Sequence, residues 1–290
     1  MLPVMYTIVA ASQKGGSGKT TLSGHLAVEA ARAGAGEIAL IDTDPQGSLA
    51  HWWNARRAPT PHFVKAGLPD LEEALAGLDR AGIKIAVVDT PPAITQSISK
   101  VVAHADLVLV PTRPSPHDLR AVGATVDIAE RHGKPLIFVV NAATARARIT
   151  GESAVALSQH GTVAPVTIHH RVDFAASMID GRTVGEVVPS SQSAKEISEL
   201  WLYIQDRLSR IVKDPSLLPD IKPEHLAISS LLSPAMEEML PPVVEIPSPP
   251  PYEGPERRSG LDRRLLTEPR HPERRSFGRR ASDQPTWGVK

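Results

Sequence analysis

Two lysines lie five residues apart in the glycine-rich stretch QKGGSGKTTL, residues 13–22. Glycines at such a spacing let successive backbone N–H groups turn inward around a polyphosphate, and a helix beginning at the end of the loop adds a positive terminus. In this reading Lys19 reaches the β- and γ-phosphates and the Thr20 hydroxyl ligates Mg²⁺, while Gly15, Gly16, Ser17, Gly18 and Thr21 complete the cradle. Gln13 stands where such loops carry their first glycine, and Lys14 is a second cation that a generic loop does not need. Two carboxylate motifs follow. IALIDTDPQG ends an apolar run on Asp42 and Asp44, and IAVVDTPP ends one on Asp89. A carboxylate after four apolar residues costs burial free energy unless it meets a cation or hydrogen-bond donors. Beside a phosphate loop the simplest such cation is Mg²⁺. Asp42 is also open to a second reading, as a helix cap or turn former.

These residues need a frame. Residues 6–11, 37–42, 84–90, 106–112 and 135–141 are short apolar, β-branched runs, nearly continuous as strands buried on both faces should be. Between them 19–34 and 68–82 carry helical patterning, with Asp70 near one start and Gly34 and Gly82 after the ends. A last helix over 192–212 puts Ile197, Leu200, Trp201, Ile204 and Leu208 on one face. The alternation predicts an α/β fold, a doubly wound and mostly parallel sheet with helices on both faces, whose ligand lies beyond the carboxyl ends of the strands.

Composition narrows the chemistry. Hydrophobic residues make up 41% of the 290 and aromatics 4%, so the core must be built from aliphatic side chains. The chain has no cysteine, which excludes disulfides, thiol nucleophiles and thiolate-held clusters. With no apolar run near 18 residues and no signal-like start, a soluble cytoplasmic protein is expected. The net charge of zero is unevenly spread: residues 1–212 are balanced, 213–252 hold two lysines against six acids, and 253–290 hold ten basic residues against six acids. The last 78 residues also contain 14 of the 27 prolines. Three segments follow: a nucleotide-binding domain over 1–212, an acidic proline-rich linker over 213–252 and an Arg-rich tail over 253–290. The tail repeats PERRS at 255–259 and 272–276, and its composition predicts disorder when it is alone. It suits a DNA tether, a docking segment for a protein partner or a solvated linker end.

The motifs KGGxxK[ST], DTDPQG and VVDTPP, in this order, resemble the ParA/MinD family of deviant Walker ATPases, over about residues 5–211. The resemblance implies a P-loop fold of the deviant Walker type, ATP and Mg²⁺ as ligands, and an ATPase of weak intrinsic activity. It implies that Lys14 crosses a homodimer interface to the phosphates held by the other subunit. Asp44 would position the attacking water near the metal, Asp89 would hold Mg²⁺, and Asn141 would read the adenine edge. Without the family, Asn141 reads equally well as a turn former.

Within the family, the lack of cysteine argues against reductase and glutamine-hydrolysing branches, and three tyrosines argue against a tyrosine-cluster kinase. The proline-broken end disfavours a membrane-binding amphipathic helix, although HLAISSLLSPAMEEML (225–240) keeps that branch open. A short ParA-type positioning ATPase remains. It is expected to be cytoplasmic and nucleoid-associated, to bind DNA without sequence preference, to meet an activating protein partner and to lack a stable membrane anchor. Arg146, Arg148, Arg171, Arg182 and Lys195 are candidate phosphate contacts, each also readable as a solvated surface charge.

Overall fold

A computed structural model describes residues 5–92 and 95–211. The linker and the Arg-rich tail expected from the sequence lie outside the described residues. Among the described residues the elements run β1 (Tyr6–Ala10), α1 (Lys19–Arg32), β2 (Ile38–Asp42), α2 (Ser48–Ala55), β3 (His62–Lys65), α3 (Leu71–Arg80), β4 (Ile85–Asp89) and α4 (Thr95–Ala103). They continue with β5 (Leu107–Thr112), α5 (Pro116–Ala121), α6 (Gly123–Arg131), β6 (Leu136–Val140), α7 (Arg148–Ser158), β7 (Thr162–Val163), α8 (Val172–Met178), α9 (Val184–Val187) and α10 (Gln192–Ser209).

The strands form one seven-stranded sheet in the order β3-β2-β4-β1-β5-β6-β7, with every pairing parallel. Because side chains alternate along a strand, each apolar run supplies both faces. Ile8, Leu40, Val87, Leu109 and Val139 pack on one side with α1, α2, α8 and α10. Val9, Ile41, Val88, Val110 and Val140 pack on the other, with α3, α4, α6 and α7. That is the doubly wound α/β arrangement. All five apolar residues expected on the last helix are buried, Trp201 among the most deeply. Burying each such side chain contributes about 1.5–3 kcal/mol, so this helix is anchored by its face rather than by propensity.

Two strands escape the sequence pattern. β3 is an edge strand of exposed and half-buried residues, and β7 is two half-buried residues long. Neither has the continuous apolar run that marks the inner strands.

Strand order and register create the site. β1 lies between β4 and β5, and the chain crosses over it between those two strands. Register pairs Ala10 with Asp89 and Asp42 with Asp89, so the carboxyl ends of β1, β2 and β4 finish level. Ligands of open α/β sheets bind at such a crossover.

Candidate nucleotide site

The loop from β1 to α1 turns through two left-handed glycines, Gly16 at φ 73° and Gly18 at φ 98°. Gly18 caps α1, and a Cβ there would collide with the Asn141 amide, so this position requires glycine on two grounds. Lys14 and Gly15 are exposed, and the Lys14 backbone N–H donates to Ser12 Oγ at 3.3 Å. Ser17 and Lys19 are buried, while Thr20 and Thr21 are half-buried. Burial pulls the Lys19 ammonium below its ordinary range, and Asp89 and then Asp44 oppose that shift.

Asp89 ends β4 with 1% of its surface exposed. Its Oδ2 accepts the Thr20 hydroxyl at 2.6 Å, and its Oδ1 is buried without a hydrogen-bond partner. Burial, with Asp42 and Asp44 adding repulsion, pushes the carboxyl up to about 7 against the pull of Thr20 and Lys19. An orphaned carboxylate oxygen beside a threonine hydroxyl is the hard, all-oxygen donor set that Mg²⁺ takes. Thr20 and Asp89 therefore fit the ion. Among the described residues no group of three or more His, Asp or Glu could hold a metal, so phosphate oxygens and water would complete its shell.

Asp42 takes the role of cap and turn former. Its Oδ1 accepts the Asp44 N–H at 3.0 Å, and its Oδ2 accepts the Ala50 N–H at 2.9 Å in the first turn of α2. That leaves Asp44, half-buried, lining a cleft of about 670 Å³ with Gly16, Lys19, Thr20, Trp52 and Arg113. The structure thus brings Lys19, Thr20, Asp44 and the loop glycines to one cleft.

Asn141 follows β6. Its Nδ2 donates to the Ser17 carbonyl at 2.6 Å, making it a strut of the loop. It also lines a second cavity of about 250 Å³ with Gly18, Thr21, Arg113, Ile168 and Phe174. Gly18, Thr21 and Arg113 border both cavities, so they lie where the two adjoin.

Of the five basic candidates, three are ion-paired. Arg171 is held by Glu196, exposed Arg148 pairs with Glu152 at 2.9 Å, and exposed Arg182 pairs with Asp180 at 2.6 Å. Lys195 and Arg146 are exposed, and neither has a salt bridge among the described residues.

Sequence reasoning missed Trp52, which lines the larger cleft, and the contacts that hold its helix in place. Trp52 donates from Nε1 to the Arg182 carbonyl at 3.1 Å. Arg56, its side chain 4% exposed, makes a bidentate pair with Glu186 at 2.8 and 2.6 Å. These contacts fasten α2 to the segment around α9. No sequence motif announces them, since they join residues 130 apart.

Residues 8–199 match the CobQ/CobB/MinD/ParA nucleotide binding domain family. The chain belongs to this family. A relative named maintenance of carboxysome distribution protein A, from Halothiobacillus neapolitanus, is 28% identical over 202 residues, 66% of this chain and 92% of that protein. A protein of the same name from Gloeobacter kilaueensis is 32% identical over 186 residues, 63% of this chain and 68% of that one. Among solved structures, the Pyrococcus horikoshii septum site-determining protein MinD with Mg-ADP superposes with a TM-score of 0.61 at 14% identity, covering 72% of this chain and all of that one. The ATP complex of a Cyanothece McdA variant gives 0.55 at 17% identity, over 74% of this chain and 99% of that one. At these identities the two solved structures support the fold: it is that of the ParA/MinD P-loop proteins.

Proposed function

We propose that this ParA/MinD-type protein is an ATP-driven positioning switch. ATP with Mg²⁺ assembles a homodimer, the dimer holds DNA without sequence preference, and a protein partner triggers hydrolysis and release. The observation that carries the reading is the arrangement of Lys19, Thr20 and the half-orphaned Asp89 around a glycine loop, with Lys14 exposed at the loop's outer edge. Lys19 would neutralise the phosphates of its own subunit, and Lys14 those of the partner. Two facing triphosphates repel each other, so a cation reaching across makes association depend on ATP. Thr20 and Asp89 would hold Mg²⁺, which supplies charge neutralisation to the β- and γ-phosphates. Asp44 would orient water for attack on the γ-phosphorus, breaking its bond to the bridging oxygen and giving ADP and phosphate. Asn141 would line the base end of the site. Because both curated relatives above are named for carboxysome distribution, a large protein body is favoured as cargo over a chromosome or plasmid.

Co-sedimentation with DNA tests this reading. Retention is expected with ATP and not with ADP, falling steeply with salt as phosphate contacts require. A second reading is a nucleotide-switched regulator acting through a protein partner or a membrane without DNA. The pairing of Arg148, Arg171 and Arg182 with carboxylates favours it. Among the described residues no helix is long and apolar enough to cross a membrane. A Lys195→Glu, Arg146→Glu double variant separates the two: loss of DNA retention supports the first, and normal cellular positioning by that variant supports the second.

A further inference from the structure

We infer that Arg113 is a nucleotide-gripping cation that holds the phosphate nearest the base. The inference rests on the reading of this cleft as a nucleotide site. Arg113 directly follows β5, the strand beside β1, so it stands at the same sheet edge as the phosphate loop. Its guanidinium lies against that loop: a Cβ built on Gly16 would sit 3.5 Å from one terminal nitrogen and 3.9 Å from the central carbon. Together with Gly18 and Thr21 it borders both cavities. A ligand with its polyphosphate on Lys19 and Thr20 and its base near Asn141 has to run past these three residues. In a nucleoside triphosphate the group found there is the α-phosphate.

The state of the side chain fits this use. Arg56 and Arg171 are locked on carboxylates, but Arg113 makes no salt bridge among the described residues. It is exposed, so its charge carries little desolvation cost before a ligand arrives. A planar guanidinium presents a fork of N–H donors matched to two oxygens of one phosphate, which an ammonium does not. Gly16 adds a backbone condition. Its left-handed backbone at φ 73° disfavours a side chain on the loop beneath Arg113, where the guanidinium stands at ordinary contact distance.

Equilibrium titration of the full chain with ADP and with ATP, both with Mg²⁺, tests the inference in wild type, Arg113→Ala and Arg113→Lys. Arg113→Ala is expected to weaken both nucleotides by about 10- to 100-fold, the range for a hydrogen-bonded charge contact. Arg113→Lys keeps the charge without the fork and is expected to fall between. The melting temperature of the nucleotide-free protein should not move, because the exposed side chain has no ion-pair partner to lose. Unchanged ADP affinity in Arg113→Ala overturns the inference, and a loss confined to ATP also overturns it by moving the contact to the γ-phosphate. Wild-type protein that binds neither nucleotide overturns the nucleotide reading itself, and this inference with it.

Discussion

Arg171 places both terminal guanidinium nitrogens on the Glu196 carboxylate, at 2.7 and 2.8 Å. His169 adds its backbone N–H at 3.1 Å and its Nδ1 at 2.8 Å to the same group. Burial opposes ionisation of Glu196, but these donors outweigh it and hold the carboxyl below its usual range. The result is a strut between the rim of the smaller cavity, where His169 and Arg171 lie, and α10, one residue from Lys195.

Arg171 and Lys195 therefore have different failure modes, although the sequence makes them equivalent candidates for DNA. Removing the guanidinium leaves a nearly buried carboxylate short of two charged donors, so Arg171→Ala is expected to cost about 1.5–3 kcal/mol in urea unfolding. Lys195→Glu, on an exposed position without an ion pair among the described residues, should stay within about 0.5 kcal/mol of wild type while weakening retention on DNA. An Arg171→Ala protein of full stability that has lost DNA binding would show the reverse assignment, with Arg171 as the contact and the strut dispensable.

The two loop lysines are separated by burial. Lys19 sits at the start of α1 with 6% of its surface exposed, and Lys14 is exposed. Lys14→Ala should leave nucleotide affinity within about threefold, since an exposed charge at the loop's outer edge is largely screened from its own subunit's cleft, while the ATP-dependent dimer disappears from size-exclusion profiles. Asp44→Ala should do the opposite, retaining the ATP dimer while phosphate release stops. A Lys14→Ala protein that dimerises with ATP like wild type would sink the division of roles.

The parts of the candidate site that line one cleft were visible in the sequence because they are local. The loop occupies consecutive residues, and Asp89 ends an apolar run whose burial forces a partner on it. Arg113, which directly follows the run LVLVPT, was not legible, because an exposed cation after an apolar strand reads as a surface residue. Asp42 needed the structure to choose between metal ligand and cap, because only the folded turn brings the Ala50 N–H to it. The Arg56–Glu186 and Arg171–Glu196 pairs were not legible at all. Each joins residues far apart in sequence whose charges look ordinary one at a time. The edge strands β3 and β7 stayed hidden for another reason: a strand that is half exposed or two residues long lacks the apolar signature of the inner sheet.

Asp89 is predicted to serve the ligand at the expense of the empty fold. Its unpartnered Oδ1 is an uncompensated polar atom in the absence of a cation. Asp89→Asn should hold or raise the melting temperature of the nucleotide-free protein while removing the Mg²⁺-dependent part of its ATP affinity, measured with and without EDTA. A variant that melts well below wild type and keeps the Mg²⁺ effect would assign Asp89 to the framework instead.

His25 sets an acid limit on the fold. It is enclosed between α1, α8 and α9: its Nδ1 donates to the Thr21 carbonyl at 2.8 Å, and its Nε2 accepts the Val184 N–H at 3.3 Å. The Phe174 ring stands edge-on at 5.2 Å, and Ser177 Oγ lies 3.5 Å from Nε2. Burial drives its pKa from 6.5 down to about 4, against the Thr21 carbonyl and the charge of Glu186. The folded state therefore keeps the ring neutral where the unfolded chain protonates it. Stability from this group is complete above about pH 6.5 and declines as pH falls toward 4, by about 3 kcal/mol over the window. Because carboxyl groups take up protons in acid as well, the difference in unfolding free energy between wild type and His25→Gln is the quantity to follow from pH 7 to pH 4. It should shrink or change sign as the pH drops, since a side-chain amide in place of the imidazole takes up no proton; a difference flat across the window would mean that the buried ring is not what limits the fold in acid.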